Sequence, residues 1–223
     1  MLKILCVSDQ IDPQVYSPLI KERFADVDLV LAAGDLPLDY LDFIISTLNK
    51  PLFFIFGNHH TEDLRHYKRL WNDPMLQEDK NYMGCGAIYL ASKLKREGKL
   101  ILAGFGGSMR YNTGPNQYTE FEMYLEIIKL IPRLLWNRLK HGKFIDILLT
   151  HSPPRGIHDK TDKCHTGFKA YLWFMKTFKP KYLVHGHIHL YDLCDIRSTQ
   201  WEKTTVINAF GHYIINTEDQ NGN

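Results

Sequence analysis

The sequence predicts an α/β fold of two mixed β-sheets with helices on the outside, and three observations carry that prediction. Apolar runs of strand length recur along the chain, helix-spaced segments separate the early ones, and the last third holds short alternating segments.

The strand-length runs are Ile4 to Val7, Leu29 to Ala33, Leu52 to Phe56, Leu100 to Ala103, Ile145 to Leu149 and Tyr182 to Val184. Runs this short and this apolar suit central strands buried on both faces. Helical spacing at Pro18 to Phe24 and at Tyr40 to Leu48 makes the first third β-α-β-α-β. Helical crossovers imply parallel strands, which place their C-terminal ends on one rim. A longer helix is expected from Thr119 to Lys140, with apolar residues at Phe121, Leu125, Ile128, Ile131 and Leu135, and with Pro132 kinking or splitting it. Phe168 to Phe178 reads as another helix, ending before Pro180. Tyr191 to Ile196, Thr204 to Ile207 and Tyr213 to Ile215 read as antiparallel strands.

With 223 residues, 44% hydrophobic and 23% charged, the chain can bury one continuous core. No repeat or linker divides it, so residues 1–217 are expected to form a single domain and 218–223 a flexible polar tail. A net charge of +2, with basic residues scattered apart from Lys93, Lys95, Arg96 and Lys99, does not indicate nucleic acid as a partner. No apolar run is long enough to cross a bilayer, and no charged leader with a long apolar stretch opens the sequence, so no membrane is expected. Cys6, Cys85, Cys164 and Cys194 lie far apart without a CxxC pair, which fits reduced thiols in a cytoplasmic protein. A homo-oligomer is compatible with this composition.

Five polar clusters follow strand-like runs: Ser8-Asp9, Gly34-Asp35, Gly57-Asn58-His59-His60, Thr150-His151-Ser152 and His185-Gly186-His187-Ile188-His189. Groups at strand C-terminal ends of an α/β sheet converge on one crevice, so the five can form one site. Carboxylates, an amide oxygen and imidazoles suit Mn, Fe, Zn, Ni or Mg, and no thiolate is among them. Two such ions about 3.5–4 Å apart hold a phosphoryl group and activate hydroxide at neutral pH, which is the chemistry of phosphoester hydrolysis.

The ordered set Gly34-Asp35, Gly57-Asn58-His59, His151 and Gly186-His187-Ile188-His189 resembles the motifs of the calcineurin-like metallophosphoesterase superfamily, in a small stand-alone bacterial-type form. The resemblance implies a four-layer α-β-β-α sandwich and two divalent metal ions. It implies that Asp35 bridges both ions, that Asn58, His151 and His187 complete one site, and that Asp9 and His189 belong to the other. It makes His59 the catalytic histidine, suited by a pKa near working pH to stabilise the phosphate or protonate the leaving alkoxide.

Two positions depart from that pattern. The first motif is usually Asp-x-His, whereas Ile11 stands two residues after Asp9, so the second metal site is expected to be weakened. Asp12 either reaches in to compensate or is a turn residue before Pro13. His60 stands where the family usually has an acid that supports the site from behind. Asp39 either orients His59 or is a solvated carboxylate at a helix start.

Arg110, in the glycine-rich stretch Gly104 to Gly114, either pairs with substrate phosphate through its fork or lies on the surface. The segment Arg155 to Gly167 is expected to overhang the site, where His165 or His158 contacts substrate or caps the next helix. His66, His141 and His212 read as bystanders, and Trp71, Trp136, Trp173 and Trp201 as core or edge aromatics rather than base-stacking platforms. The function expected is hydrolysis of a small phosphomonoester or a cyclic phosphodiester. The alternative is a metal-binding scaffold of the same fold with weakened or lost catalysis. A nuclease, the third reading, would need a basic, phosphate-tracking groove.

Overall fold

The computed structural model of the chain describes residues 2–59, 64, 67, 86–192 and 194–217. In chain order its elements are β1 (Leu2–Ser8), α1 (Ile20–Arg23), β2 (Leu29–Ala32), α2 (Leu38–Leu48), β3 (Leu52–Phe54), β4 (Ile88–Tyr89), β5 (Lys93–Glu97), β6 (Leu100–Phe105), β7 (Ser108–Met109), β8 (Gln117–Tyr118), α3 (Glu120–His141), β9 (Ile147–Thr150), α4 (Lys169–Phe178), β10 (Tyr182–His185), β11 (Ser198–Trp201), β12 (Thr204–Asn208) and β13 (Gly211–Thr217). The sequence expectations at His60, His66, Trp71, Cys85 and the 218–223 tail lie outside the described residues.

One sheet runs β13-β1-β2-β3-β4, the other β11-β12-β10-β9-β6-β5, and β7 and β8 form a small ribbon of their own. The period-two alternation of side chains sorts each central strand between two apolar layers. From β1, Leu5 and Val7 face the layer shared with α1 and α2, while Ile4 and Cys6 face the second sheet. From β9 and β10, Ile147, Leu149 and Val184 meet that same inter-sheet layer, and Leu148 and Leu183 point to the layer under α3 and α4. Three apolar layers between helices, sheet, sheet and helices make the four-layer sandwich.

The first three strands are parallel, as the crossovers demand. β12 is antiparallel to β11, as expected of a late hairpin, but lies parallel to β10, because the chain first forms the edge strand β11 and then turns back between it and β10. The described residues between Tyr191 and Ile196 form no strand, since the Asp195 carboxylate accepts from the Tyr191 and Asp192 N–H groups and folds the backbone back. The basic cluster at Lys93 to Arg96 is strand β5, antiparallel to β6 at the sheet edge. Charged side chains suit an edge because they discourage pairing with another chain.

Helix α3 runs unbroken from Glu120 to His141. Pro132 does not split it: a capping box at Thr119 and Glu122 starts the helix, and buried residues on both sides of the proline hold it to the sheet. The buried stripe is Met123, Ile127, Leu130 and Leu134, whereas Phe121, Leu125, Ile128 and Leu135 are exposed. Trp136, read as a core or edge aromatic, is exposed on the same helix and so is not in the core.

Candidate metal centre

β1, β2, β3, β9 and β10 each end in a polar cluster, and the ends meet across the seam between the two sheets. Asp9 follows β1, and its N–H donates to the Gly34 carbonyl at 3.1 Å. Its carboxylate crosses to the other sheet and accepts from the His187 N–H at 2.9 and 3.0 Å. The Gly186 N–H donates to the His151 carbonyl at 3.0 Å, tying the end of β10 to that of β9.

Glycines make this convergence sterically feasible. A Cβ at Gly57 would stand 2.1 Å from Asp35 Oδ1, and one at Gly186 would stand 2.4 Å from Asp9 Oδ2. Asp9, Asp35 and His187 have φ of 62°, 53° and 67°. This left-handed region is uncommon for non-glycine residues, and such backbones concentrate at functional sites.

Asp9, Asp35 and His151 offer ligand atoms that all lie within 4.8 Å of one another. Asp35 Oδ1 accepts from the His59 N–H at 2.8 Å, while Oδ2 lies 3.2 Å from His151 Nε2. His151 Nδ1 donates to the Ala33 carbonyl at 2.8 Å, which turns Nε2 toward Asp35 and the Asn58 amide oxygen, 3.1 Å away. Such a backbone partner fixes ring orientation at metal sites.

The electrostatics follow from two carboxylates buried beside one imidazole. Burial alone would raise Asp35, but the charged His151 and the His59 N–H hold it at about 2. Burial alone would lower His151, but Asp35 and Asp9 raise it to about 9, which favours the protonated ring beside Asp35. Burial raises Asp9. His187 is pushed down to about 3 by burial and by the neighbouring His151, which keeps it neutral. Two buried carboxylates gathered at one point call for a positive charge, and hard oxygen donors with imidazole suit a divalent ion.

The other expected residues distribute around this group. The His187 ring lies 4.9 Å from that of His151, and its Nε2 donates to the Cys164 carbonyl at 2.7 Å, leaving Nδ1 as its acceptor nitrogen. His187 and His189 lie beyond the strand, because β10 ends at His185 and His187 takes a left-handed turn. His189 nevertheless brings Nε2 to 3.9 Å from Asp9 Oδ1. The His59 side chain is exposed at the rim. The Arg155 to Gly167 segment does overhang, through Cys164 and through His165, whose ring is 5.4 Å from that of His187. His165 Nδ1 is paired with Asp162 at 2.8 Å.

Arg110 is engaged elsewhere: its guanidinium donates to both carboxylate oxygens of Glu122, at 2.9 and 3.0 Å. The glycine-rich stretch reaches the site through Tyr111 instead, whose hydroxyl accepts from the Asn58 amide at 3.2 Å. Asp12 does not replace the missing histidine. Its carboxylate pairs with His212 Nδ1 at 2.6 Å and accepts from the Gln14 N–H at 2.8 Å, which is the turn role. His212, read as a bystander, is therefore what anchors Asp12. Asp39 is exposed in the first turn of α2.

Sequence reasoning missed Tyr111 and the contact between the half-buried His158 and the buried His185. His158 Nδ1 lies 2.9 Å from His185 Nε2, and the other His158 nitrogen bonds Thr199 at 2.8 Å. The signal was present in His185, two residues before a candidate ligand at the end of its strand. A cavity of about 900 Å³ borders the centre, lined by His158, Lys160, His189, Tyr191, Asp192 and Thr199. Asp35 and His151 are not among its walls.

Comparison with known proteins gives one match to a family model, that of calcineurin-like phosphoesterase, over residues 2–191. A solved crystal structure superposes with a TM-score of 0.67 at 15% identity, covering 96% of this chain and 94% of that one, a likeness of fold. Sulfate thiohydrolase SoxB of Thermus thermophilus, in complex with glycerol, aligns at 14% identity and a TM-score of 0.41 over 85% of this chain and 36% of that one. No curated protein matches the sequence.

Proposed function

Because the chain belongs to the calcineurin-like phosphoesterase family, whose members hydrolyse phosphoesters with divalent metals, we propose that it is itself a metal-dependent hydrolase of small phosphomonoesters or cyclic phosphodiesters. The observation that carries the reading is the meeting of Asp9, Asp35 and His151 within 4.8 Å at three strand ends.

In this reading Asp35, Asn58, His151 and His187 hold one ion, and Asp9, His189 and the shared Asp35 hold the other. Bound ions of the Mn, Fe, Zn, Ni or Mg type supply Lewis acidity toward the phosphoryl oxygens and acidify water. The chain's own residues do the rest. The Ala33 carbonyl and the Cys164 carbonyl fix the rings of His151 and His187 by hydrogen bonds. His59 has its backbone clamped to Asp35 and its ring exposed at the rim, where it can donate to the phosphate or to the leaving oxygen. The adjoining cavity accommodates the organic part of the substrate, with His165 and Lys160 at the overhang. Arg110 contributes to phosphate binding only if it leaves Glu122.

One observation favours a second reading, a scaffold with weakened catalysis. Ile11 supplies no ligand and is 42% exposed, while Asp12 is committed to His212. The second ion then has fewer donors than the first.

The test is turnover of p-nitrophenyl phosphate and bis-p-nitrophenyl phosphate by chelator-stripped protein, with Mn²⁺, Mg²⁺, Zn²⁺ and Ni²⁺ returned singly. Metal-restored turnover supports the hydrolase and ranks monoester against diester. Bound metal without turnover on either substrate supports the scaffold.

A further inference from the structure

Helix α3 is apolar on two sides, although among the described residues only one side is covered by its own fold. Met123, Ile127, Leu130 and Leu134 face the second sheet and α4. On the outer side, Phe121, Leu125, Ile128, Leu135, Trp136 and Leu139 are 70%, 41%, 50%, 50%, 63% and 82% exposed, and Pro132 is exposed among them. A surface helix of a soluble monomer normally turns charged residues outward.

The outward residues are regularly spaced. Positions 121, 125, 128, 132, 135 and 139 advance by alternate steps of four and three. That is the 3.5-residue period of a coiled-coil seam, the period at which one helix receives another along its length. We propose that this face is the two-fold interface of a homodimer, in which α3 lies antiparallel against α3 of a second copy of this chain.

Area, register and charge all point to a second copy as the occupant. The exposed side chains present on the order of 600 Å² of apolar surface, taking about 150–250 Å² for a whole aromatic side chain. That is at or above the largest patch of a typical monomer and approaches the ~800 Å² per partner of a stable interface. The seam is symmetric about position 130: 121 and 139, 125 and 135, and 128 and 132 are equidistant from it. An antiparallel copy centred there sets Phe121 against Leu139 of the partner subunit and Leu125 against Leu135 of the partner subunit, so every knob meets an apolar neighbour.

Charge is segregated along the same helix. Glu120, Glu122 and Glu126 lie in its first half, and Arg133, Arg138 and Lys140 in its second. Antiparallel packing lays each acidic half along a basic half, whereas parallel packing sets acid on acid and base on base. Arg110 and Lys129 offset part of the acidic half within one chain, which lessens the effect without reversing its sign.

Sedimentation equilibrium of the full chain between about 1 and 100 µM tests the proposal, alongside two variants. The wild type should sediment at twice the chain mass. Leu125→Glu/Leu135→Glu, at exposed positions, should be monomeric with unchanged circular dichroism and unchanged phosphoesterase turnover per chain. Arg133→Glu/Lys140→Glu should weaken the dimer at least about tenfold. A wild type that stays monomeric, whether or not it binds lipid vesicles, overturns the proposal. So does a dimer that survives Leu125→Glu/Leu135→Glu. A dimer unmoved or tightened by the charge reversal overturns the antiparallel arrangement.

Discussion

His151 Nε2 lies 3.2 Å from Asp35 Oδ2, so the ends of β9 and β2, in different sheets, are joined by a buried ion pair. The pair makes metal binding a proton exchange, because an imidazole must lose its proton to become a ligand. With His151 held at about 9, binding near pH 7 should expel close to one proton per chain. Calorimetric titration of Mn²⁺ in two buffers of different ionisation enthalpy reads that number, and His151→Asn should abolish it.

The same pair sets the pH dependence of the metal-stripped fold. The His151 pKa is raised from 6.5 to about 9, so its contribution is complete below pH 6.5 and is lost as pH rises through 9. The Asp35 pKa is lowered from 3.8 to about 2, so its contribution is present above pH 3.8 and is lost as pH falls through 2. One interaction underlies both shifts and counts once, at a few kcal/mol. Urea denaturation of the stripped protein should show a decline between pH 6.5 and 9 that His151→Asn removes.

Gly57→Ala should cripple the centre without an added polar or charged group. The new methyl would sit 2.1 Å from Asp35 Oδ1 and 2.6 Å from the His151 ring, and one of them must move. A displacement near 1 Å costs about 100-fold in rate. Metal content measured beside turnover checks that the loss originates in the ligand group.

Ile11→His should raise metal content toward two ions per chain. Ile11 is 42% exposed and two residues from Asp9, so an imidazole there costs little packing and restores the donor that Asp12, tied to His212, does not supply. Elemental analysis after dialysis against limiting Mn²⁺ reads the stoichiometry, and an unchanged value would refute the account of the second site.

His59→Ala should lower turnover by about 10²–10⁴ while leaving bound metal unchanged. Its backbone, not its ring, is what Asp35 holds, and the substitution keeps that N–H. Loss of metal in parallel with activity would reassign His59 to ion binding.

The sheets were legible because their strands obey one local rule. Ile4 to Val7 and Leu29 to Ala33 are apolar at every position, which requires burial on both faces, and both faces are indeed covered. The convergence of Asp9, Asp35 and His151 followed from strand polarity alone. Long-range partners were not legible: nothing near Asp12 announces His212, 200 residues away. The path after β10 was not legible either, because a left-handed φ at His187 turns the chain out of the strand line. On α3 the apolar pattern supports two stripes, and sequence does not say which one meets the sheet.

Asp9 and Asp35 stand on one half of the sandwich, His151 and His187 on the other, at a rim where inter-sheet apolar packing gives way to polar strand ends. An ion among them would be a clasp between two layers otherwise held by non-directional contacts. Its removal should therefore be felt as motion rather than as loss of fold. Hydrogen exchange after chelation should quicken first at the C-terminal ends of β1, β2, β9 and β10, while Leu2 and Lys3 at the far end of β1 keep their protection.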